Sequence, residues 1–185
     1  MKHNYVWKLS NLQDYALGNM YQNIEMLVYS ALCFFVPFLI GHPQFFAGTV
    51  VNAALIIAAL NLKGHRLLPV IILPSLGVLS KGIIFGPLSI FLVYFIPFIW
   101  IGNTILVFSF KHFKLGKKYN YVITLILGAL LKAGFLFFSA LLLYKLNAVP
   151  AVFLTAMGFM QLFTALSGGA VAYGIHYAKK SLRKF

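Results

Sequence analysis

One lysine stands in the middle of an otherwise uncharged apolar run, and it is the residue of this chain best suited to bind a charged ligand. Lys132 lies near the centre of residues 121–144. An ammonium group at the centre of a bilayer costs at least ~2.5 kcal/mol on insertion scales. The chain has two acidic residues, Asp14 and Glu25, and both precede the first long apolar run. We therefore interpret Lys132 as the partner of an anionic group on a bound solute. The other interpretations are that it snorkels toward the membrane surface or is kept uncharged.

Amide side chains occur in three other apolar runs, at Asn52, Asn103 and Gln161. Amides in a lipid environment need hydrogen-bond partners, so these three are expected to face the interior of a helix bundle. There they either bond neighbouring helices or line a ligand cavity.

Aromatic residues are concentrated in residues 85–100, a segment interrupted by Gly86-Pro87 and Pro97. Tyr94 and Trp100 of this segment could stack on a planar ligand, although the aromatic residues could equally face lipid while Pro97 kinks a long span. The predicted substrate-binding residues are Asn52, Tyr94, Lys132 and Gln161, with Lys132 as the anchor for an anionic group.

Catalytic and metal-ion chemistry find little support in the sequence. The five histidines are His3, His42, His65, His112 and His176. They form no i, i+4 pair and have no carboxylates nearby in sequence to complete a metal site. The nucleophile elbow, the zinc-protease helix motif and the phosphate-binding glycine loop are missing from the sequence. We expect no catalytic residue, no metal and no cofactor, and predict that the chain is not an enzyme.

The composition determines which elements must position these residues. The chain has 185 residues, of which 62% are hydrophobic and 9% charged, whereas a soluble domain needs far more polar surface. At ~20 residues per membrane-spanning helix, we predict one all-α integral membrane domain with six spans. The predicted spans cover residues 24–40, 45–62, 67–80, 83–110, 121–144 and 151–178.

The ends and the middle of this bundle carry further predictions. Residues 1–23 are predicted to be an interfacial lead-in with a short amphipathic helix over residues 4–22, although a lead-in helix packed under the first span would have the same pattern. Residues 179–185 are predicted to be a basic cytoplasmic tail. Residues 67–110 contain several prolines and glycines, so they form either two full crossings or a re-entrant piece. The single cysteine, Cys33, is predicted to be a small buried apolar residue.

Basic residues orient the predicted spans. Two lysines, Lys81 and Lys145, fall in the loops opposite the N-terminus. Twelve basic residues fall on the N-terminal side: Lys2, Lys8, Lys63, Arg66, Lys111, Lys114, Lys117, Lys118, Lys179, Lys180, Arg183 and Lys184. Positive charge marks the cytoplasmic side, so both termini are predicted to be cytoplasmic in a multi-pass plasma-membrane protein. The net charge of +13 is then explained by topology and contact with anionic lipid, and we expect no nucleic-acid partner.

Six short-looped spans, basic ends on one side and no ATPase domain resemble the substrate-binding S component of energy-coupling factor (ECF) transporters. Residues 73–103, with Pro74, Gly86-Pro87 and Pro97, are similar to small bacterial membrane proteins grouped with these S components. The resemblance implies that a vitamin or similar nutrient binds in the external half of the bundle. It also implies that a membrane coupling subunit and two cytoplasmic ATPases power uptake.

In that family an Ala-xxx-Ala pair in the first helix docks the coupling subunit. Here Ala31 is followed four residues later by Phe35, and pairs of that spacing occur instead at Ala54/Ala58 and Ala129/Ala133. These pairs either pack the bundle internally or dock another subunit.

Two functional hypotheses follow. A substrate-capturing transporter subunit requires an outward-opening polar cavity that contains or approaches Lys132. A structural or assembly membrane protein requires a solid bundle in which backbone carbonyls or buried amides bind Lys132.

Overall fold

The computed structural model describes residues 2–40, 44–85 and 90–182, and every regular element in these ranges is helical. The all-α prediction is therefore confirmed for the described residues. The α-helices are α1 (Lys2–Ser10), α2 (Asn19–Leu39), α3 (Gln44–Asn61), α4 (Leu67–Phe85), α5 (Leu92–Ser109), α6 (Tyr121–Lys145), α7 (Val152–Met157) and α8 (Phe159–Leu182). A 3₁₀ turn (Gly64–Arg66) precedes α4, and a π-helix (Phe110–Gly116) continues α5.

Five helical segments in the described residues are long and apolar enough to cross a membrane. They are α2, α3, α5 with its π-helical continuation, α6, and α7 together with α8. The helix α4 has 19 residues and contains Pro74. It overlaps the third predicted span, residues 67–80, but is not one of these five segments. The length and composition of these helices identify a membrane protein.

The boundaries around the fourth predicted span differ from the prediction over residues 83–110. Residues 83–85 belong to α4, which continues beyond Lys81, and α5 begins at Leu92. The prediction took Lys81-Gly82 as the boundary, but lysine favours helical structure, and α4 continues through both residues to Phe85. The Gly86-Pro87 interruption lies outside the described residues, as does the His42-Pro43 turn.

The N-terminal segment is only partly helical. The helix α1 ends at Ser10, residues 11–18 form an irregular segment that we call the N-terminal strap, and α2 begins at Asn19. Whereas the sequence suggested one helix over residues 4–22, the strap leaves the helical path because its groups bond the bundle instead. The backbone N–H of Asp14 donates to the carbonyl of Leu60 on α3 at 2.9 Å.

The helix α3 is the centre of the bundle, because residues 51–62 are buried without a break and α3 packs against α2, α4, α5 and α8. Close packing needs small residues where helices meet. A Cβ atom added at Gly168 of α8 would lie 2.6 Å from the carbonyl oxygen of Thr49 on α3. Within this core Cys33 is fully buried, as predicted.

The two Ala-xxx-Ala pairs pack the bundle internally. Ala54 and Ala58 of α3 are 3% and 0% exposed, and Ala129 and Ala133 of α6 are 0% and 6% exposed. In this structure, these four side chains offer no free surface for another subunit.

Candidate functional site

Lys132 lies in a closed polar network at the middle of the bundle. Its position on α6 is roughly 16 Å along the helix axis from Tyr121 at the N-terminal end. Its side chain is 2% exposed. The ammonium Nζ donates to Oδ1 of Asn52 on α3 at 2.6 Å and to Oδ1 of Asn103 on α5 at 2.9 Å.

Further hydrogen bonds orient the two amides. Nδ2 of Asn52 donates to the carbonyl of Gly48 at 2.9 Å and to Oγ1 of Thr164 on α8 at 3.1 Å. Nδ2 of Asn103 donates to the carbonyl of Ile71 on α4 at 2.9 Å. Because the NH₂ groups are bound elsewhere, both amide oxygens face the lysine. Asn52, Asn103, Lys132 and Thr164 form what we call the Lys132 network.

Small residues bring the helices of the Lys132 network together. Gly102, next to Asn103, lies against Leu136 of α6, and a Cβ atom there would come within 3.1 Å of the Leu136 side chain. Gly48 of α3 similarly lies against Thr164 of α8, at 2.8 Å from a hypothetical Cβ. The glycines therefore set the separations across which the hydrogen bonds form.

The arrangement leaves the Lys132 amino group without a carboxylate partner among the described residues. An ammonium group has three donors, and in the described residues its hydrogen bonds go to Asn52 and Asn103. Both acceptors are neutral amides. Chemically, such a group can bind an anion, or it can hold helices together through polar bonds alone.

The structure gathers only part of the predicted substrate-binding set. Asn52 and Lys132 are in direct contact. Tyr94 is 54% exposed near the start of α5, roughly 13 Å along the helix axis from Asn103, so its ring is remote from the lysine. Gln161 is half-buried, and its backbone carbonyl accepts from Oγ1 of Thr164 at 3.2 Å.

Two members of the network, Asn103 and Thr164, were not in the predicted set. Asn103 could have been included from the sequence, since it is an amide within a predicted span and was expected to face the interior. Thr164 carried none, because hydroxyl groups in helices commonly bond the preceding turn. Trp100, a candidate for ligand stacking, instead donates its Nε1 proton to Oγ of Ser75 at 2.8 Å and so links α5 to α4.

A second polar cluster lies where the N-terminal strap meets the C-terminal part of α8. The carboxylate of Glu25 accepts from Nζ of Lys179 at 2.8 Å and from Nδ2 of Asn61 at 2.8 Å. Asp14 Oδ2 lies 3.0 Å from Nε2 of His176. Both acids of the chain thus contact α8, and we call this part of the bundle the lysine-rich end.

Lys111 is also part of the lysine-rich end, but it is buried. Its side chain is 0% exposed, and its Nζ donates to the carbonyl of Leu62 at 2.6 Å and to that of Leu12 in the strap. The sequence interpretation of Lys111 as a surface lysine that only marks topology is therefore wrong. The residue lies in the π-helix rather than in a loop, and the strap covers it.

Comparisons of the chain with protein-family models, with curated proteins and with solved structures find no match.

Proposed function

We propose that this chain is the solute-capturing membrane subunit of a nutrient uptake transporter, with Lys132 as the anchor for an anionic group of a vitamin-like small molecule. The observation that carries this proposal is the buried ammonium of Lys132, which neutral amides hold and no carboxylate of the described residues contacts. The resemblance to ECF S components supports it at the level of architecture. A separate coupling subunit and ATPases would supply the energy.

The cost of the charge favours a binding role over a purely structural one. A buried cation is costly in a bilayer, and an apolar side chain of similar volume would fill the same space without that cost. An anionic ligand would offset the cost by supplying the missing negative charge. The two amides would then hold the ammonium in position until the ligand arrives.

Capture requires a state more open than the one described. Since Lys132 is 2% exposed, a solute can reach the ammonium only if the contacts around α5 and α6 loosen. The amide oxygens of Asn52 and Asn103 are then the groups that the ligand replaces or joins.

The proposed topology has six spans with both termini in the cytoplasm and places the chain in the plasma membrane. The twelve-to-two division of basic residues between the two sides supports it. Contacts support it as well, because Asp14 and Glu25 near the N-terminus pair with His176 and Lys179 near the C-terminus. An even number of crossings brings the two ends of a chain to the same side.

The test is to purify the protein with Lys132→Met and with Lys145→Met, and to identify co-purifying small molecules by mass spectrometry. Lys145 is the matched control because it lies on the same helix and is exposed. We expect the unaltered chain and Lys145→Met to carry an anionic solute. Lys132→Met should retain at least about tenfold less, since a charge-assisted hydrogen bond contributes ~1.5–3 kcal/mol.

Equal retention of an anionic solute by Lys132→Met would overturn the anchor role. Insertion and folding are expected to survive the substitution, because methionine makes α6 more apolar. A loss of the folded protein would be visible as aggregation in size-exclusion chromatography, separately from the loss of ligand.

A structural or assembly protein without a small-molecule site is the second candidate. It is favoured by the closed Lys132 network, whose bonds connect α3, α4, α5, α6 and α8. Under this alternative no solute co-purifies with any variant, and Lys132→Met changes only the stability of the bundle.

A further inference from the structure

The lysine-rich end contains a cleft far from the Lys132 network. Its volume is about 310 Å³, within the range of small-ligand sites. Three tyrosines line it, Tyr121, Tyr173 and Tyr177, together with Lys114 of the π-helix, Ser181 and the Asp14–His176 pair. The cleft therefore combines aromatic walls with a cation at the level of the helix ends.

The cleft is lined by one lysine, one carboxylate and one histidine. The carboxylate of Asp14 is already paired with His176 at 3.0 Å, and Glu25, the other acid of the chain, is paired with Lys179 at 2.8 Å. Lys114 has a different environment, because its Nζ lies 3.5 Å from the backbone carbonyl of Tyr119. Among the described residues, this lysine has no carboxylate partner.

The walls are fixed by contacts of their own. The hydroxyl of Tyr121 donates to the carbonyl of Gly169 at 2.8 Å, and the rings of Tyr121 and Tyr173 have centroids 4.9 Å apart. Tyr121 is also the first residue of α6, so the cleft lies beside that helix N-terminus, whose partial positive charge adds to that of Lys114.

The two helices that line the cleft also carry exposed apolar side chains. Tyr173 and Tyr177 of α8 are 50% and 67% exposed, and Val122 and Ile126 of α6, which follow Tyr121, are 58% and 45% exposed. Tyrosines prefer the membrane–water interface, and aliphatic side chains prefer the hydrocarbon region. A ligand that binds its charge at Lys114 can therefore lay an apolar tail along α6 and α8.

From this combination we propose that the cleft binds the phosphodiester headgroup of an anionic phospholipid, with Lys114 as its principal cation. Basic pockets between membrane helices are a recurrent site for such headgroups. The inference requires only that the lysine-rich end lies at a membrane surface, and it is independent of the solute proposed for Lys132.

The test measures which lipid the purified protein retains. Protein reconstituted in vesicles of phosphatidylglycerol and phosphatidylcholine is extracted in mild detergent and analysed by native mass spectrometry. The variants are Lys114→Gln, the charge-preserving Lys114→Arg and the control Lys117→Gln, which removes an exposed neighbouring lysine that does not line the cleft. Inorganic phosphate and glycerol 3-phosphate are added as soluble competitors.

We expect the unaltered chain to retain phosphatidylglycerol in preference to phosphatidylcholine, and Lys114→Gln to reduce that retention by about fivefold. Lys114→Arg and Lys117→Gln should retain the lipid, and the soluble competitors should leave it bound. Equal retention by Lys114→Gln and Lys117→Gln would overturn the site. Displacement of the lipid by inorganic phosphate would overturn the lipid assignment in favour of a free anion.

Discussion

Lys132 of α6 and Asn103 of α5 are hydrogen-bond partners in the interior of the bundle. Removing either side chain leaves a buried polar group of the other without that partner. The Lys132 ammonium uses Asn103 Oδ1 as an acceptor at 2.9 Å, and the carbonyl of Ile71 uses Asn103 Nδ2 as a donor. Buried donors and acceptors without partners cost more than the bond itself contributes. The two residues should therefore be coupled in stability.

Replacing Asn103 with Leu should lower the free energy of unfolding by ~1–3 kcal/mol. The same replacement in a Lys132→Met chain should cost less, because the ammonium that needed the amide is gone. Reversible unfolding in mixed detergent and SDS measures both values. A coupling free energy of zero in this double-mutant cycle would show that the Lys132–Asn103 hydrogen bond does not contribute to stability.

The burial of Lys111 could not be predicted from its residue type. Lys111 and Lys117 belong to the same basic run, yet Lys117 is exposed while Lys111 is fully buried. The difference arises because the N-terminal strap supplies the carbonyl of Leu12 and the end of α3 supplies that of Leu62. Nothing in the local sequence indicates that those carbonyls converge there.

At the scale of elements, the contact between α3 and α8 depends on glycine. A Cβ atom at Gly168 would lie 2.6 Å from the Thr49 carbonyl and 2.8 Å from the Ala53 nitrogen. Both are backbone atoms, which cannot move without shifting the helix. Gly174, two turns later on α8, has nothing within 4 Å of its own hypothetical Cβ.

Gly168→Ala should therefore destabilise the protein by ~1–3 kcal/mol through overpacking. Gly174→Ala is the matched control and should be neutral or stabilise by up to ~1 kcal/mol, because alanine favours the helix. Thermal unfolding of the two variants in detergent gives the comparison. Similar melting temperatures would indicate that α3 and α8 are less closely packed than described.

The N-terminal strap is a second element whose role emerges only from its contacts. The backbone of Asp14 bonds the end of α3, and its side chain contacts His176 on α8. Lys111 holds the strap from the π-helix. These bonds connect parts of the chain that are far apart in sequence, and they close the lysine-rich end of the bundle.

At the scale of the whole molecule, the proposed six-span topology predicts opposite accessibility for two loops. In a Cys33→Ala background, Asn147→Cys should react with a membrane-impermeant maleimide added to intact cells, whereas Ser181→Cys should react only after the cells are opened. Both positions are exposed. Reaction of Ser181→Cys from outside intact cells would refute a cytoplasmic C-terminus.

Only part of the predicted substrate-binding set comes together in the structure. Asn52 and Lys132 are in contact. Their residue types predicted a polar interior, because amide and amino groups need hydrogen-bond partners away from lipid. Tyr94 does not join them. On a regular helix the nine-residue spacing of Tyr94 and Asn103 corresponds to about 180° of rotation, so the two side chains point to opposite faces of α5.

The sequence by itself determined that the chain is a helical membrane protein, that one apolar run contains an isolated lysine, and that the other basic residues lie outside the predicted spans. These properties follow from composition and from charge spacing along the chain, and need no knowledge of contacts. The tertiary structure decided which amides bind Lys132, that Lys111 is buried, and that both acids contact α8. Those outcomes depend on the rotation and depth of each helix relative to its neighbours, which small residues such as Gly102 and Gly168 set through packing.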